Sequence, residues 1–133
     1  MKFADTEMAA KTWLKAHPLL SPLVAGRVFF AVPEGTPILP LLTVSQVAGG
    51  TDREGIDHPR LSFDCWAKTK QDAVKVKNAL LAALVGLSGQ AIDAETFCYG
   101  VRDYSAVWLP DDEAKLARYV VDATFDVRAL SPL

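Results

Sequence analysis

Four side chains are of the kind that bind zinc: His17, His58, Cys65 and Cys98. No Cys-x-x-Cys or His-x-x-x-His spacing brings two of them together, so no metal centre is expected. Each histidine precedes a proline and reads as a turn residue. The cysteines, flanked by strand-like residues, read as small buried thiols in a reducing compartment, with a disulfide as the alternative. Gly86-Leu87-Ser88-Gly89 has the outline of a G-x-x-G clamp for single-stranded nucleic acid. It lacks nearby basic residues and ends a helical pattern, so a helix C-cap is the better reading. Gly49-Gly50 leads into Thr51 and Asp52 without a lysine to meet phosphate, and reads as a turn. Asp111, Asp112 and Glu113 could attract a divalent cation, but adjacent turn carboxylates are ordinarily solvated. No phosphate-binding loop, dinucleotide fingerprint, nucleophile elbow or zinc-protease motif occurs. No catalytic residue and no cofactor is expected, and an enzyme is the least favoured class.

The elements that would carry these residues follow from periodicity. Asp5 or Thr6 can cap a first helix to about Ala16, with apolar pairs Ala9–Trp13 and Ala10–Leu14. Pro18 stops it at His17. After Pro18, Pro22 and Gly26, the apolar stretch from Val28 to Val32 reads as a short strand. Pro33, Gly35, Pro37 and Pro40 force an irregular crossing, and Leu41 to Val47 is a second strand. Gly49 to Pro59 is a polar loop carrying Asp52, Arg53, Glu54 and Asp57, expected to be mobile and dispensable for folding. Leu61, Phe63, Cys65 and Ala67 then alternate with Ser62, Asp64 and Trp66. Thr69 and Asp72 mark a helix start, and Ala73, Val76, Leu80, Ala83 and Leu84 form its apolar stripe up to Gly86 and Gly89. Phe97 to Arg102 alternates as a strand.

The last strand, Ala117 to Ala129, places Tyr119, Val121, Ala123, Phe125 and Val127 on one face. Arg118, Asp122, Asp126 and Arg128 fall on the other, wet face. Thirteen extended residues span about 43 Å, against a diameter of about 36 Å for a domain of this size. That strand is expected either to bend at a bulge or to project and need covering by a neighbour, a first hint of assembly. Of the three tryptophans, Trp13 and Trp108 are assigned to packing. Trp66 lies opposite the Leu61–Phe63–Cys65 face and is a candidate contact.

The chain is 133 residues long, 50% hydrophobic and 23% charged, with a formal charge of -2. This excludes a disordered chain and argues against a domain built to grip phosphates. The longest apolar run, Ala79 to Val85, is far below the roughly 20 residues that span a bilayer, and the first residues lack an apolar signal stretch. The expected fold class is α+β. A single domain over residues 1–133 would have a mostly antiparallel β-sheet packed by an N-terminal helix and one central amphipathic helix.

The segment from Arg60 to Ala73 is an alternating strand ending in an aromatic, a short polar link, then an amphipathic helix. It resembles the core of the tail-terminator and tail-completion proteins of long-tailed bacteriophages. The opening is similar too: a short helix, Pro18-Leu19-Leu20, Gly26-Arg27-Val28, then the Pro33 to Pro40 crossing into a strand. At the other end, Phe97 to Tyr104 precedes an acidic turn and a long terminal strand, so the resemblance covers nearly the whole chain.

The resemblance implies a non-enzymatic virion protein at the head–tail junction, made in the host cytoplasm. It would form a homo-oligomeric ring, typically of six subunits, on the head-proximal end of the tail tube. It would end tube polymerisation and offer a joining surface to the head. The implied partners are the tail tube protein, a head-completion or connector protein and the tape-measure protein, with genomic DNA passing through the lumen without sequence-specific binding. Asp52, Arg53, Glu54 and Asp57 would form a contact or lumen-facing loop; Trp66, Arg118, Asp122, Asp126 and Arg128 would make contacts between subunits or with the tube. A head-side connector or stopper ring is the runner-up, and a small cytoplasmic ligand-binding domain a further alternative.

Overall fold

In the computed structural model, residues 3–52 and 54–130 are described. Helix α1 spans Thr6–Ala16, with the Asp5 carboxylate accepting from the Met8 N–H at 3.0 Å as its N-cap. A one-turn helix α2, Ser21–Val24, lies in the connector where the sequence suggested only punctuation. It starts around Pro22 and stops at Ala25 and Gly26, both at positive φ, which Gly26 adopts freely. The strands are β1 (Val28–Phe29), β2 (Leu41–Ala48), β3 (Arg60–Ala67), β4 (Gln90–Asp93), β5 (Thr96–Trp108) and β6 (Ala117–Ala129). Helix α3, Lys70–Val85, joins β3 to β4. The Thr69 hydroxyl accepts from the Asp72 N–H at 3.2 Å at its start, and the Gly86 N–H donates to Ala82 at its end.

These strands form one mixed sheet in the order β1-β2-β3-β6-β5-β4, antiparallel except for the β1–β2 pair. The fold is therefore α+β, as the periodicity implied. The alternation in β3 and β6 sends Leu61, Phe63, Cys65, Val121, Ala123, Phe125 and Val127 to one face. There they meet Ala9, Ala10 and Leu14 of α1 and Val76, Leu80, Ala83 and Leu84 of α3, all essentially inaccessible. The Phe63 and Phe125 rings, 6.2 Å apart, form the centre of this layer. Full burial of side chains of this size stabilises by about 1.5–3 kcal/mol each.

The terminal strand was expected either to bend at a bulge or to project; it does not project, and the bulges lie in its hairpin partner. β6 is interior, flanked by β3 and by β5, which has the same length. No neighbouring subunit is needed to cover it, because the β5–β6 hairpin already does. The extra length is accommodated in β5, whose register slips between Cys98 and Gly100 and between Arg102 and Ser105. Asp103 sits at φ 55 in the second slip, the kind of bulge that bends a long ribbon. A second difference concerns the stretch from Val28 to Val32, of which only Val28 and Phe29 pair with β2.

Candidate interface on the open sheet face

The face of the sheet away from the helices carries the alternate residues of β3, β5 and β6, among them the charged Arg60, Asp64, Arg118, Asp122 and Asp126. Near the β1 end of the ladder, Trp66 and Arg118 are direct cross-strand partners. The Arg118 guanidinium lies 4.7 Å from the centre of the Trp66 ring and donates from Nε to the Leu109 carbonyl at 2.8 Å. Its Nη1 stands 3.7 Å from Asp64. Trp66 donates from Nε1 to the Thr43 hydroxyl at 3.1 Å. With this cover Trp66 is only 7% exposed, so a contact made here would meet the Arg118 guanidinium rather than the indole. Burial pushes the Asp64 carboxyl above its usual range. Arg118 opposes that shift and the neighbouring Asp122 adds to it. Asp122 faces Ser62 on β3 and Ser105 on β5, and its Oδ1 is enclosed without a hydrogen-bond partner.

At the other end, His58 ties the loop to the sheet. Its Nδ1 lies 2.6 Å from Asp126 Oδ1 and its Nε2 lies 3.2 Å from Asp52 Oδ2. The Asp126 bond is the main reason the His58 pKa is raised; desolvation opposes it and Asp52 assists. Asp126 also takes Arg102 Nε at 2.9 Å. Partial burial pushes the Asp126 carboxyl up, but Arg102 and His58 outweigh that and hold it below the usual range. Desolvation likewise opposes a net fall at Asp52, which accepts from the N–H groups of Ile56 and Glu54 as well as from His58.

The predicted loop is thus anchored rather than free. Asp57 pairs with Thr51 and with Val127 of β6, exchanging backbone bonds of 2.7 and 2.9 Å with the latter. The Pro59 carbonyl takes the Phe125 N–H at 2.9 Å. Among the described residues of the loop, only the tip near Glu54 is unconstrained by the ladder; Arg53 lies outside the described residues. Deleting Thr51 to Asp57 would therefore strip a backbone partner from β6, against the expectation that the whole loop is dispensable.

Asp122, Asp126, Arg118 and Trp66 come together on one face, as the alternation required, and Arg128 lies exposed near the end of the same strand. Sequence reasoning missed His58 and Arg102, whose partner Asp126 is remote in the chain. The acidic turn closes through Asp111, whose carboxylate accepts from the Ala114 N–H and whose backbone pairs with Leu116. Among the described residues no cluster of His, Cys, Asp and Glu could hold a metal, and no helix is long and apolar enough to cross a membrane. Cys65 and Cys98 are both free and buried. Most of the charged groups on this face are thus engaged in bonds and ion pairs within the subunit.

The family described as "Tail completion protein gp17" matches residues 9–128. One solved chain, described as "Virion of native gene transfer agent (GTA) particle", has the same fold with a TM-score of 0.73. It is 21% identical, and the match covers 91% of this chain and 92% of that one. No curated protein matches.

Proposed function

Because the chain belongs to the tail completion protein gp17 family, we propose that this structural protein of a phage-type tail caps the head-proximal end of the tail tube as a ring. In that position it ends tube polymerisation and presents the surface to which the head joins. The family match over nearly the whole chain is the observation that carries the reading. The six-stranded sheet supports it, because one subunit offers two separate charged contact regions, around Arg118 and around Asp126. One can meet the tube while the other meets the head. The protein acts by fit, without a catalytic step. Its partners are other copies of itself, the tube protein, a head-completion protein and the tape-measure protein at the tube end. DNA passes through the lumen, and acidic side chains such as Glu54 and Asp57 repel it weakly if the loop faces inward.

The test is to produce particles lacking this protein and examine their tails by electron microscopy. Tails of abnormal length that fail to join heads are the expected result. Tails of normal length that merely fail to join would reassign the protein as a head-side connector. Normal length with normal joining would refute both.

A further inference from the structure

The two ends of the sheet are unequal in a way that suggests how copies meet. At one end, β4 covers β5 only from Thr96 to Cys98, so the outer edge of β5 beyond Gly100 has no strand beside it among the described residues. The Arg102–Asp103 bulge and Pro110 bound this open stretch. Between them Tyr104, Val107 and Leu109 are 38%, 52% and 50% exposed. The Leu109 N–H turns inward to the Arg118 carbonyl at 3.0 Å. Alternation along an antiparallel strand then turns the N–H and C=O of Ala106 and Trp108 outward. Exposed apolar edges of this kind are templates for another strand.

At the other end, β1 pairs for two residues and the chain then leaves the sheet. Residues 30–39 make no backbone hydrogen bond to any described residue. Phe30, with Lys11 4.5 Å from its ring centre, is still 40% exposed, and Val32 36%. The edge of β2 beyond β1 is not a rival, because the Glu7 carboxylate already takes the Gln46 N–H.

The ladder puts these two ends at the same level. Val28 is in line with Leu42, Cys65, Tyr119 and Trp108, and Phe29 with Thr43, Asp64, Val120 and Val107. β1 also runs opposite to β5. Placing β1 of a second copy against β5 with this row unshifted makes an antiparallel pair. Phe30 then faces Ala106, Ala31 faces Ser105 and Val32 faces Tyr104. Pro33, which cannot donate, falls at the Asp103 bulge, so the two segments match in length.

We infer that Val28–Val32 of one copy adds to the Tyr104–Trp108 edge of the next, extending the sheet from subunit to subunit. The contact is head-to-tail, and repeated with a constant rotation it closes a ring. This inference rests on the ring reading above and names the surface that would build it. It also gives the unpaired half of the Val28–Val32 strand a partner.

Ala106→Pro removes an outward N–H and leaves the bonds to β6 in place, so the subunit should fold, as edge strands tolerate proline. Wild type should form rings on isolated tail tubes, seen by electron microscopy, and folded Ala106→Pro should assemble at least tenfold less well. A second pair of variants guards against misfolding. Phe30→Cys mixed with Ala106→Cys should give an intermolecular disulfide under mild oxidation, while Ala106→Cys alone should not. Cross-linking of Ala106→Cys with itself would overturn the inference in favour of a two-fold edge contact. Rings formed equally well by folded Ala106→Pro would overturn it while leaving the ring reading intact. Absence of rings from wild type would overturn both.

Discussion

Replacing Arg118 by alanine probes the open sheet face most sharply, because three interactions converge on one guanidinium. The bond from Nε to the Leu109 carbonyl, 2.8 Å, joins a charged donor to the backbone. Such bonds contribute about 1.5–3 kcal/mol, and the low end applies here because the freed carbonyl can be rehydrated. Stacking on Trp66 adds about 0.5–1 kcal/mol. The Asp64 pair at 3.7 Å joins two partly exposed groups and adds no more than about 1 kcal/mol. The expected loss is about 2–3 kcal/mol, a large fraction of the stability of an ordinary domain. Urea unfolding followed by far-ultraviolet circular dichroism should show a lower midpoint with an unchanged slope. Arg118→Lys should recover only part of the loss, since an ammonium cannot both stack flat and reach Leu109. A change below about 0.5 kcal/mol for the alanine variant would show that these contacts do not stabilise the fold, because surface substitutions without structural consequence fall within that range. Docking measurements on Arg118 variants must therefore be made on protein shown to be folded.

The other predictions are narrower. His58 has a raised pKa in the fold, so its stabilising effect is complete below the unfolded value of about 6.5 and fades as pH rises through the folded one. His58→Asn should consequently cost more stability at about pH 5.5 than at about pH 8.5; an equal cost at both would show that the imidazolium does not tie the loop. Thr69→Ala should cost about 1 kcal/mol in the same unfolding assay through loss of the α3 cap. The Cys98 thiol is pushed up to about 11 by burial, and Cys65 higher still. Both should resist thiol reagents at neutral pH in the native protein and react promptly in denaturant.

Much of this fold was legible because local patterns and tertiary burial agree. The stripe of α3, the Thr69 cap and the alternation of β6 each specify one face without reference to distant residues. Three elements escaped. The single turn of α2 lies beside prolines and is too short for a helical period to register. β4 has only four residues, one of them buried, too short for alternation to register. The second half of β5 reads as irregular because its edge side is open and its bulge breaks the period. The terminal strand was recognised with its bounds. Length left bending and projecting both open, and only the register showed that the strand is interior and that the bulges lie in β5. The site was legible as a face and not as a set of contacts. Alternation grouped Arg118, Asp122 and Asp126. The covering of Trp66 by Arg118 and the bridge from His58 to Asp126 depend on cross-strand register over 68 residues in the second case, which no local signal carries.

A protein that caps a tail tube must bind one end of it and stop its growth. Tube subunits should be polymerised with and without the purified protein, with tube lengths and ends recorded by electron microscopy. The expected result is a ring at one end only and no further elongation from that end. Tubes that keep growing from both ends with the protein present, or protein bound along their sides, would contradict it.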